Sequence, residues 1–128
     1  MFPPNPGKPA TPAGGCATTG LCAAAAGTTT GANHSVAVGH SALKALTSGA
    51  GNTAVGYGSG GGLTTGERNP IVGYTALDAG TTETDDNVAI GYNALVANTT
   101  GESNVAIGYR ALTANTTGSY NSAMGSGS

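Results

Sequence analysis

Large aromatic and charged side chains are scarce in this chain. It contains no Trp and one Phe, and only 8% of its 128 residues are charged. Nucleic-acid binding calls for clustered Lys and Arg. The chain has four such residues in all, so we expect no nucleic-acid partner. No apolar run approaches the roughly 20 residues that a membrane-spanning helix needs, so we expect no membrane span.

Cysteine and histidine are nearly as rare. The two cysteines, Cys16 and Cys22, are too few for a disulfide framework. We expect free thiols in a reducing compartment, although the sequence leaves open whether the two pair. There is no CxxC motif and the only histidines are His34 and His40, so we expect no metal site and no other cofactor. Neither histidine has a carboxylate at a fixed spacing, so we expect no catalytic residue and no enzyme.

Residues 1–34 form a segment unlike the rest of the chain. Five of the six prolines lie among the first twelve residues, and Gly, Ala and Thr dominate up to Thr30. Such a segment cannot form a regular helix or a central strand. We expect an extended N-terminal arm that orders when it docks on a larger body, with a disordered tail as the alternative. Its first residues lack the apolar core of a secretory signal, so we expect folding in the cytosol that makes the chain.

A repeat fills residues 35–128. An aliphatic residue, Gly and usually Tyr are followed two residues later by Ala-Leu, and then by Thr-Thr-Gly and Asn. This phrase occurs six times at spacings of 17 or 18 residues. Its marker glycines, expected to permit close approach of another backbone, are Gly39, Gly56, Gly73, Gly91, Gly108 and Gly125. A fixed short period indicates one structural unit stacked on copies of itself.

Alternation within each copy predicts a strand. In residues 87–92 the side chains of Val88, Ile90 and Tyr92 share one face, and the residues between them share the other. The other face holds almost only Ala and Gly after its first Asn, so a neighbouring chain or the opposite wall of a narrow coil can approach it. The position of Ile90 is always aliphatic, and we expect it to face a dry interior. This aliphatic row comprises Val38, Val55, Val72, Ile90, Ile107 and Met124.

Two further rows accompany the strands. The first is a leucine row, a second apolar anchor that copy two interrupts with Gly60; it comprises Leu43, Leu77, Leu95 and Leu112. The second is an asparagine row at the start of every strand but the first, comprising Asn52, Asn69, Asn87, Asn104 and Asn121. At a strand spacing of about 4.8 Å these amides can form a ladder of hydrogen bonds along the stack. The Thr-Thr-Gly segments supply the turns.

These patterns predict an all-β fold with about six repeats of 17 residues and an N-terminal arm. A helix is excluded because Gly and Thr-Thr-Gly interrupt every candidate after six or seven residues. Two architectures remain open: a β-solenoid or β-roll formed by one chain, and an intertwined trimeric β-helix. The large apolar residues are few for the length of the repeat region. We therefore expect a homo-oligomer, which buries surface that one chain cannot.

Residues 87–118 carry a resemblance to known proteins. Their phrase Asn-x-Ala-Ile-Gly-Tyr-x-Ala-Leu-x-x-Asn-Thr-Thr-Gly resembles repeats in fibre proteins of bacteriophages and other viruses. Its core is also similar to the head repeats of trimeric autotransporter adhesins. The resemblance implies an elongated homotrimer with a role in attachment. From this sequence we expect no chaperone domain, coiled-coil stalk or membrane barrel, although a chaperone domain removed from the C-terminus stays open; the period of the repeat is longer than that of adhesin heads.

These features predict a structural fibre or spike protein of a virus particle. Residues 1–34 would attach it to other virion structural proteins, and the repeat domain, residues 35–128, would serve host attachment or surface decoration. The partner on the host would be a surface glycan or receptor. We expect location on the virion after synthesis in the host cytoplasm. A bacterial surface adhesin head is one alternative, with location on the cell surface.

The tyrosines of the repeat have two interpretations. They recur at one position and would form a column along the stack, made up of Tyr57, Tyr74, Tyr92 and Tyr109. The column is either a packing stripe at a subunit boundary or an exposed strip that contacts a glycan or receptor. His40 takes the same position in the first copy.

A second alternative function is an ice-binding β-solenoid. Stacks rich in Thr, Ala and Gly can present flat rows of threonine. The threonines here are adjacent pairs, such as Thr99-Thr100, so only one of each pair can face outward.

The acidic stretch 83–86 is a solvated insertion or a calcium loop. The triplets that begin at Asn33, Asn98 and Asn115 match the glycosylation pattern, but turn chemistry is the simpler explanation.

Overall fold

The repeat region is a single-chain β-solenoid. The computed structural model describes residues 34–79 and 84–128. Within them the chain forms six short strands and no helix, one strand for each copy of the repeat. The strands are β1 (Val36–Val38), β2 (Thr53–Val55), β3 (Pro70–Val72), β4 (Val88–Ile90), β5 (Val105–Ile107) and β6 (Ser122–Met124). The expected arm lies almost wholly outside the described residues, as do Cys16 and Cys22.

The strands form one parallel sheet in chain order, β1 to β6. Each pairs in register with the equivalent residues of the next copy, as Ala89 does with Ala106. Because parallel neighbours lie about 4.8 Å apart, each copy makes one coil and rises by one strand spacing. The 18-residue copy keeps this register, since Val72 still pairs with Ile90. The chain therefore coils on itself, which decides between the two predicted architectures.

The interior of the coil is lined by small residues, leucines and asparagines. The middle residue of each strand points inward and is buried in β1 to β5; these residues are Ala37, Ala54, Ile71, Ala89 and Ala106. The leucine row lies opposite, with Leu43, Leu77 and Leu95 buried and Leu112 partly buried against the core. The expectation that this row anchors the core is confirmed, as is the narrow-coil explanation of the Ala face.

The aliphatic row, in contrast, does not face the interior. Ile90 is 37% exposed and Met124 is 74% exposed, and Val55 and Val72 are also exposed. The prediction that Val38, Val55, Val72, Ile90, Ile107 and Met124 form the dry core is therefore wrong. The physical reason is the width of the coil: the two walls are so close that alanine fills the space between strand and leucine row. The larger β-branched residues occupy the outer side of the pleat.

The asparagine row forms the predicted ladder inside the coil. Asn52, Asn69, Asn87 and Asn104 are fully buried. The Asn104 amide Nδ2 donates to Oδ1 of Asn87 at 3.0 Å, and the backbone N of Asn104 donates to the same oxygen at 2.9 Å. Each asparagine thus satisfies both a side chain and a backbone group of the next coil. The ladder adds hydrogen bonds between successive coils on the side of the interior where the asparagines lie.

The marker glycines lie where successive coils approach most closely. A Cβ on Gly56 would lie 2.5 Å from the carbonyl oxygen of Gly73, and the same clash recurs between the other coils. Gly56 also has a φ of +129°, a conformation that is unfavourable for residues with a side chain. The expectation that these glycines permit close backbone approach is confirmed for Gly39, Gly56, Gly73, Gly91 and Gly108.

In copy two, a side chain of the next coil fills the space of the missing leucine. Gly60 takes the leucine position, and a Cβ there would lie 2.8 Å from Cδ2 of Leu43 and 2.9 Å from Cδ1 of Ile71. Ile71 is the one strand centre that is not alanine, and it is fully buried. The isoleucine side chain therefore fills the space that a leucine at position 60 would occupy. Two departures from the repeat compensate each other, so the core is packed where Gly60 interrupts the leucine row.

This compensation predicts a strong coupling between the two positions. Ile71→Ala leaves a cavity beside Gly60 and should lower the free energy of unfolding by about 2–4 kcal/mol. Gly60→Leu alone overpacks the same space, at a cost of about 1–3 kcal/mol. The double variant restores the residues of the other copies and should unfold close to the unmodified protein. Chemical denaturation of all four proteins measures the coupling; additive losses would contradict it.

Candidate functional site

The outer face of the sheet carries most of the exposed large apolar side chains among the described residues. It carries the exposed aliphatic row and, at the start of the first strand, Val36, which is 49% exposed. The tyrosine column stands two residues beyond the aliphatic row in copies two to five. We call the aliphatic row and the tyrosine column together the apolar wall. No residue of the wall is Asp, Glu, Lys, Arg or His.

The tyrosine column is a continuous stack of rings. Neighbouring centroids of Tyr57, Tyr74, Tyr92 and Tyr109 lie 5.0–5.6 Å apart, with the ring planes within 14° of parallel. His40 continues the stack, its ring centroid lying 5.3 Å from that of Tyr57. The spacing is set by the parallel strands, whose separation of about 4.8 Å brings equivalent side chains into contact. The predicted column along the stack is therefore present.

Stacking determines which part of each tyrosine meets solvent. The faces of the inner rings are covered by their neighbours, whereas each tyrosine of the column remains 45–55% exposed. The exposed parts are therefore ring edges and hydroxyl groups. A sugar ring stacks on an aromatic face, so this arrangement offers a glycan only the two ends of the column. The side of the column suits hydroxyl and edge contacts, and either packing or receptor contact can use these.

A cluster of charges lies just before β3 and β4, where copies two and three meet. The Arg68 guanidinium contacts Oδ1 of Asp86 at 2.7 Å and Oε2 of Glu67 at 2.6 Å. The hydrogen bond from Arg68 lowers the pKa of the Asp86 carboxyl, and the acidic neighbours raise the pKa of Arg68. All three side chains are exposed, so the cluster stabilises the fold little. Asp85 lies 3.7 Å from the same guanidinium.

One carboxylate sits apart from this cluster, against the glycine-rich second copy. Asp78 lies under Gly58 and Gly61, and its partial burial raises its pKa, an effect that the positive charge of Lys44 opposes. The absence of side chains in the second copy leaves the room that Asp78 occupies. A single carboxylate of this kind supplies neither a nucleophile with a base nor a metal site.

The threonine pairs form two rows of unequal character. The first threonine of a pair is tied into the stack: Thr47 Oγ1 donates to the Thr64 carbonyl oxygen at 3.0 Å, and Thr99 Oγ1 to that of Thr116 at 2.9 Å. The second row, Ser48, Thr65, Thr100 and Thr117, is exposed. The hydroxyls of Thr47 and Thr99 thus bond along the stack, whereas the second row is exposed. The acidic residues Glu67 and Glu102 follow two residues later, so the surface is not a flat array of hydroxyls.

The described residues contain no group of three or more His, Cys, Asp or Glu side chains that could hold a metal ion. Glu83 of the acidic stretch falls outside them, whereas Asp85 and Asp86 lie near Arg68.

Asn98 of a predicted glycosylation triplet is fully buried, and its Nδ2 donates to the Gly101 carbonyl oxygen at 2.8 Å. Its amide serves the turn and the interior. In the same part of the chain there is no helix that could span a lipid bilayer.

Comparison with known proteins finds no matching family model, no matching curated protein and no matching solved structure. The function of this chain is therefore inferred from its own residues and surface. The tyrosine column is present as the sequence predicts, whereas the aliphatic row, which was predicted to face the interior of the coil, lies on its outer face. One signal could have corrected this: the residue before each marker aliphatic is nearly always Ala, which suits the confined side of a narrow coil better than Val or Ile does.

Proposed function

We propose that this chain is a structural fibre or spike protein of a virus particle and that it works as a homotrimer. The proposal starts from the resemblance of its repeat to viral fibre proteins and is supported by the β-solenoid fold. A stack of coils joined by parallel strand pairing and amide ladders is a stiff rod, which suits a projecting structure. Residues 1–34 would attach the rod to other structural proteins of the virion.

The exposed apolar wall is the observation that carries the proposal. With about 150–250 Å² per aromatic side chain, four half-exposed tyrosines leave roughly 300–500 Å² in solvent. The aliphatic row extends this surface beyond the apolar patch that a typical monomer exposes, about 300–600 Å². A stable interface buries about 800 Å² per partner. The wall therefore has the size and composition of a surface that further copies of the chain cover.

The distribution of charge agrees with this assignment. Neither the aliphatic row nor the tyrosine column contains Asp, Glu, Lys or Arg, so copies that meet along the aliphatic row would bury no charge of the row itself. The charged residues would remain in solvent and would face the host surface or the medium. A bacterial adhesin head would use the same assembly and differ in its location on a cell. Host attachment or surface decoration remains the proposed role of the rod.

A mass measurement tests the trimer. We expect the purified full-length chain to have the mass of three chains in solution. Ile90→Asp places a charge in the middle of the wall, where the present side chain is 37% exposed, and should give single folded chains. Thr100→Asp, on the exposed hydroxyl row, is the matched control and should remain trimeric. Light scattering gives the mass and circular dichroism checks the fold. A monomeric unmodified protein would overturn the proposal.

A further inference from the structure

The outer face of the sheet carries a third row beside the apolar wall. It consists of the first residue of each strand, and each of these residues is exposed or half-buried. We call it the leading row; it comprises Val36, Thr53, Pro70, Val88, Val105 and Ser122. Side chains two residues apart on a strand share a face at a spacing of about 6.6 Å. The aliphatic row therefore runs between the leading row on one flank and the tyrosine column on the other.

The two flanks differ in side-chain size and agree in their lack of charge. The leading row holds only Val, Thr, Pro and Ser, whereas the opposite flank holds Tyr in copies two to five. Neither flank contains Asp, Glu, Lys or Arg. The stacked rings cover one another's faces, so their edges point away from the column. A row of small, mostly apolar side chains gives such ring edges a surface on which to pack.

Symmetry decides which of these surfaces meet in a trimer. In a closed ring of three copies each contact joins two different patches, because a patch meets its own equivalent only at the axis. The aliphatic row is central, so it can line the axis, and each flank then faces the opposite flank of the next copy. The same rotation keeps all copies parallel and brings equal coils to equal height.

We infer that the tyrosine column of each copy packs against the leading row of the next copy, coil for coil, and that the aliphatic rows line the threefold axis. The inference rests on the homotrimer proposed above and names the residues that meet in it. Tyr92 of one copy contacts Val88 of the next, and Tyr109 contacts Val105 in the same way. Large rings on one flank thus lie against small side chains on the other.

The two flanks match at successive heights of the stack. Copies two to five place Tyr on one flank and Thr, Pro or Val on the other. In copy six the tyrosine position is Ser126 and the leading residue is Ser122, so both flanks become polar together. The inserted residue of copy three does not disturb the match, since Val72 still pairs with Ile90. Equal coils of neighbouring copies therefore offer each other complementary side chains.

Paired cysteines test this contact in the full chain. Val88→Cys combined with Tyr92→Cys, in a chain with Cys16→Ser and Cys22→Ser, should give linked trimers on a denaturing gel after mild oxidation. Each single variant should stay unlinked. Within one chain the two positions are about 13 Å apart on extended backbone, too far for a disulfide. Ser122→Cys with Tyr92→Cys, which lie two coils apart in height, is the matched control and should give no link.

A second measurement does not require a disulfide to form. Light scattering over a dilution series gives the concentration at which half of the trimer dissociates. Tyr92→Ala should raise this concentration by about 10-fold or more, because each trimer loses three such contacts. Val88→Ala should raise it less, and the double variant should fall short of the product of the two factors, since the residues touch. Thr100→Ala, on the exposed hydroxyl row, should combine with Tyr92→Ala without such a shortfall.

The outcomes separate this arrangement from the trimer itself. A link between positions 88 and 92, or a shortfall in the double alanine variant, supports the arrangement. A protein with the mass of three chains that shows neither would overturn the arrangement and keep the trimer. Equal linking at the control pair would overturn the coil-for-coil match. A protein with the mass of one chain would overturn both the trimer and this inference.

Discussion

Gly91→Ala is expected to destabilise the stack by about 2–6 kcal/mol, because two penalties act at one position. The Cβ would lie 2.7 Å from the carbonyl carbon of Gly108 and closer still to its oxygen. These are backbone atoms of the next coil, and they move only if the coils separate. Separation weakens the strand pairing at this point, where the backbone N of Gly108 donates to the carbonyl oxygen of Ile90 at 2.8 Å. The second penalty is the φ of +132°, which suits only glycine.

Gly125 offers a control that separates the two penalties. It occupies the same position in the last copy with a φ of +117°, but no atom lies within 4 Å of its Cβ direction. Gly125→Ala should therefore cost only the conformational part, about 1–3 kcal/mol. Thermal unfolding followed by circular dichroism compares the two variants with the unmodified protein. Equal losses in both would show that close approach between coils contributes nothing.

Much of the fold could be predicted because each coil repeats the same local problem. A glycine that recurs in all six copies indicated close approach, and a Cβ there does clash between coils. An asparagine that recurs at the start of nearly every strand indicated an amide ladder, and those amides do bond along the stack. In both cases the requirement comes from the parallel spacing of equivalent residues, which is independent of how the coil closes.

The orientation of the strands could not be predicted in the same way. Alternation shows which residues share a face, but it does not show which face is inside. The usual rule places the larger aliphatic residue inside, and here it fails because the interior beside Ala89 is only as wide as a methyl group and a leucine allow. The coupling of Gly60 to Ile71 was hidden for a related reason. It joins two successive copies, and each departure by itself resembles a defect.

The exposure of the aliphatic row changes the candidate site. Had the aliphatic row been buried, the outer face of the sheet would have carried only the tyrosine column. With Val55, Val72 and Ile90 exposed beside that column, the chain presents an apolar wall that the sequence-based account did not foresee. The expectation of a homo-oligomer rested on too few core residues. The structure gives a different argument for it, namely an outer surface that remains apolar after the chain has folded.

Asn87→Ala is expected to cost about 3–6 kcal/mol, since it leaves several buried polar groups without partners. Asn87 Oδ1 accepts from the backbone N of Asn104 at 2.9 Å and from the Asn104 Nδ2 at 3.0 Å. Its Nδ2 donates to Thr84 Oγ1 at 2.6 Å and to the Gly101 carbonyl oxygen at 3.1 Å. Alanine satisfies none of these groups, and the fully buried site gives water little access.

The last rung of the same ladder provides the matched control. Asn121 is exposed, and its Nδ2 donates to Asn104 Oδ1 at 3.0 Å, an oxygen that also accepts from the Asn121 backbone N. Asn121→Ala removes one of these bonds while water reaches the site, so the loss should stay near 1 kcal/mol. Denaturant unfolding gives both values. If Asn87→Ala cost no more than Asn121→Ala, the interior ladder would not be what holds successive coils together. Leucine packing and strand pairing would then account for the stability of the stack.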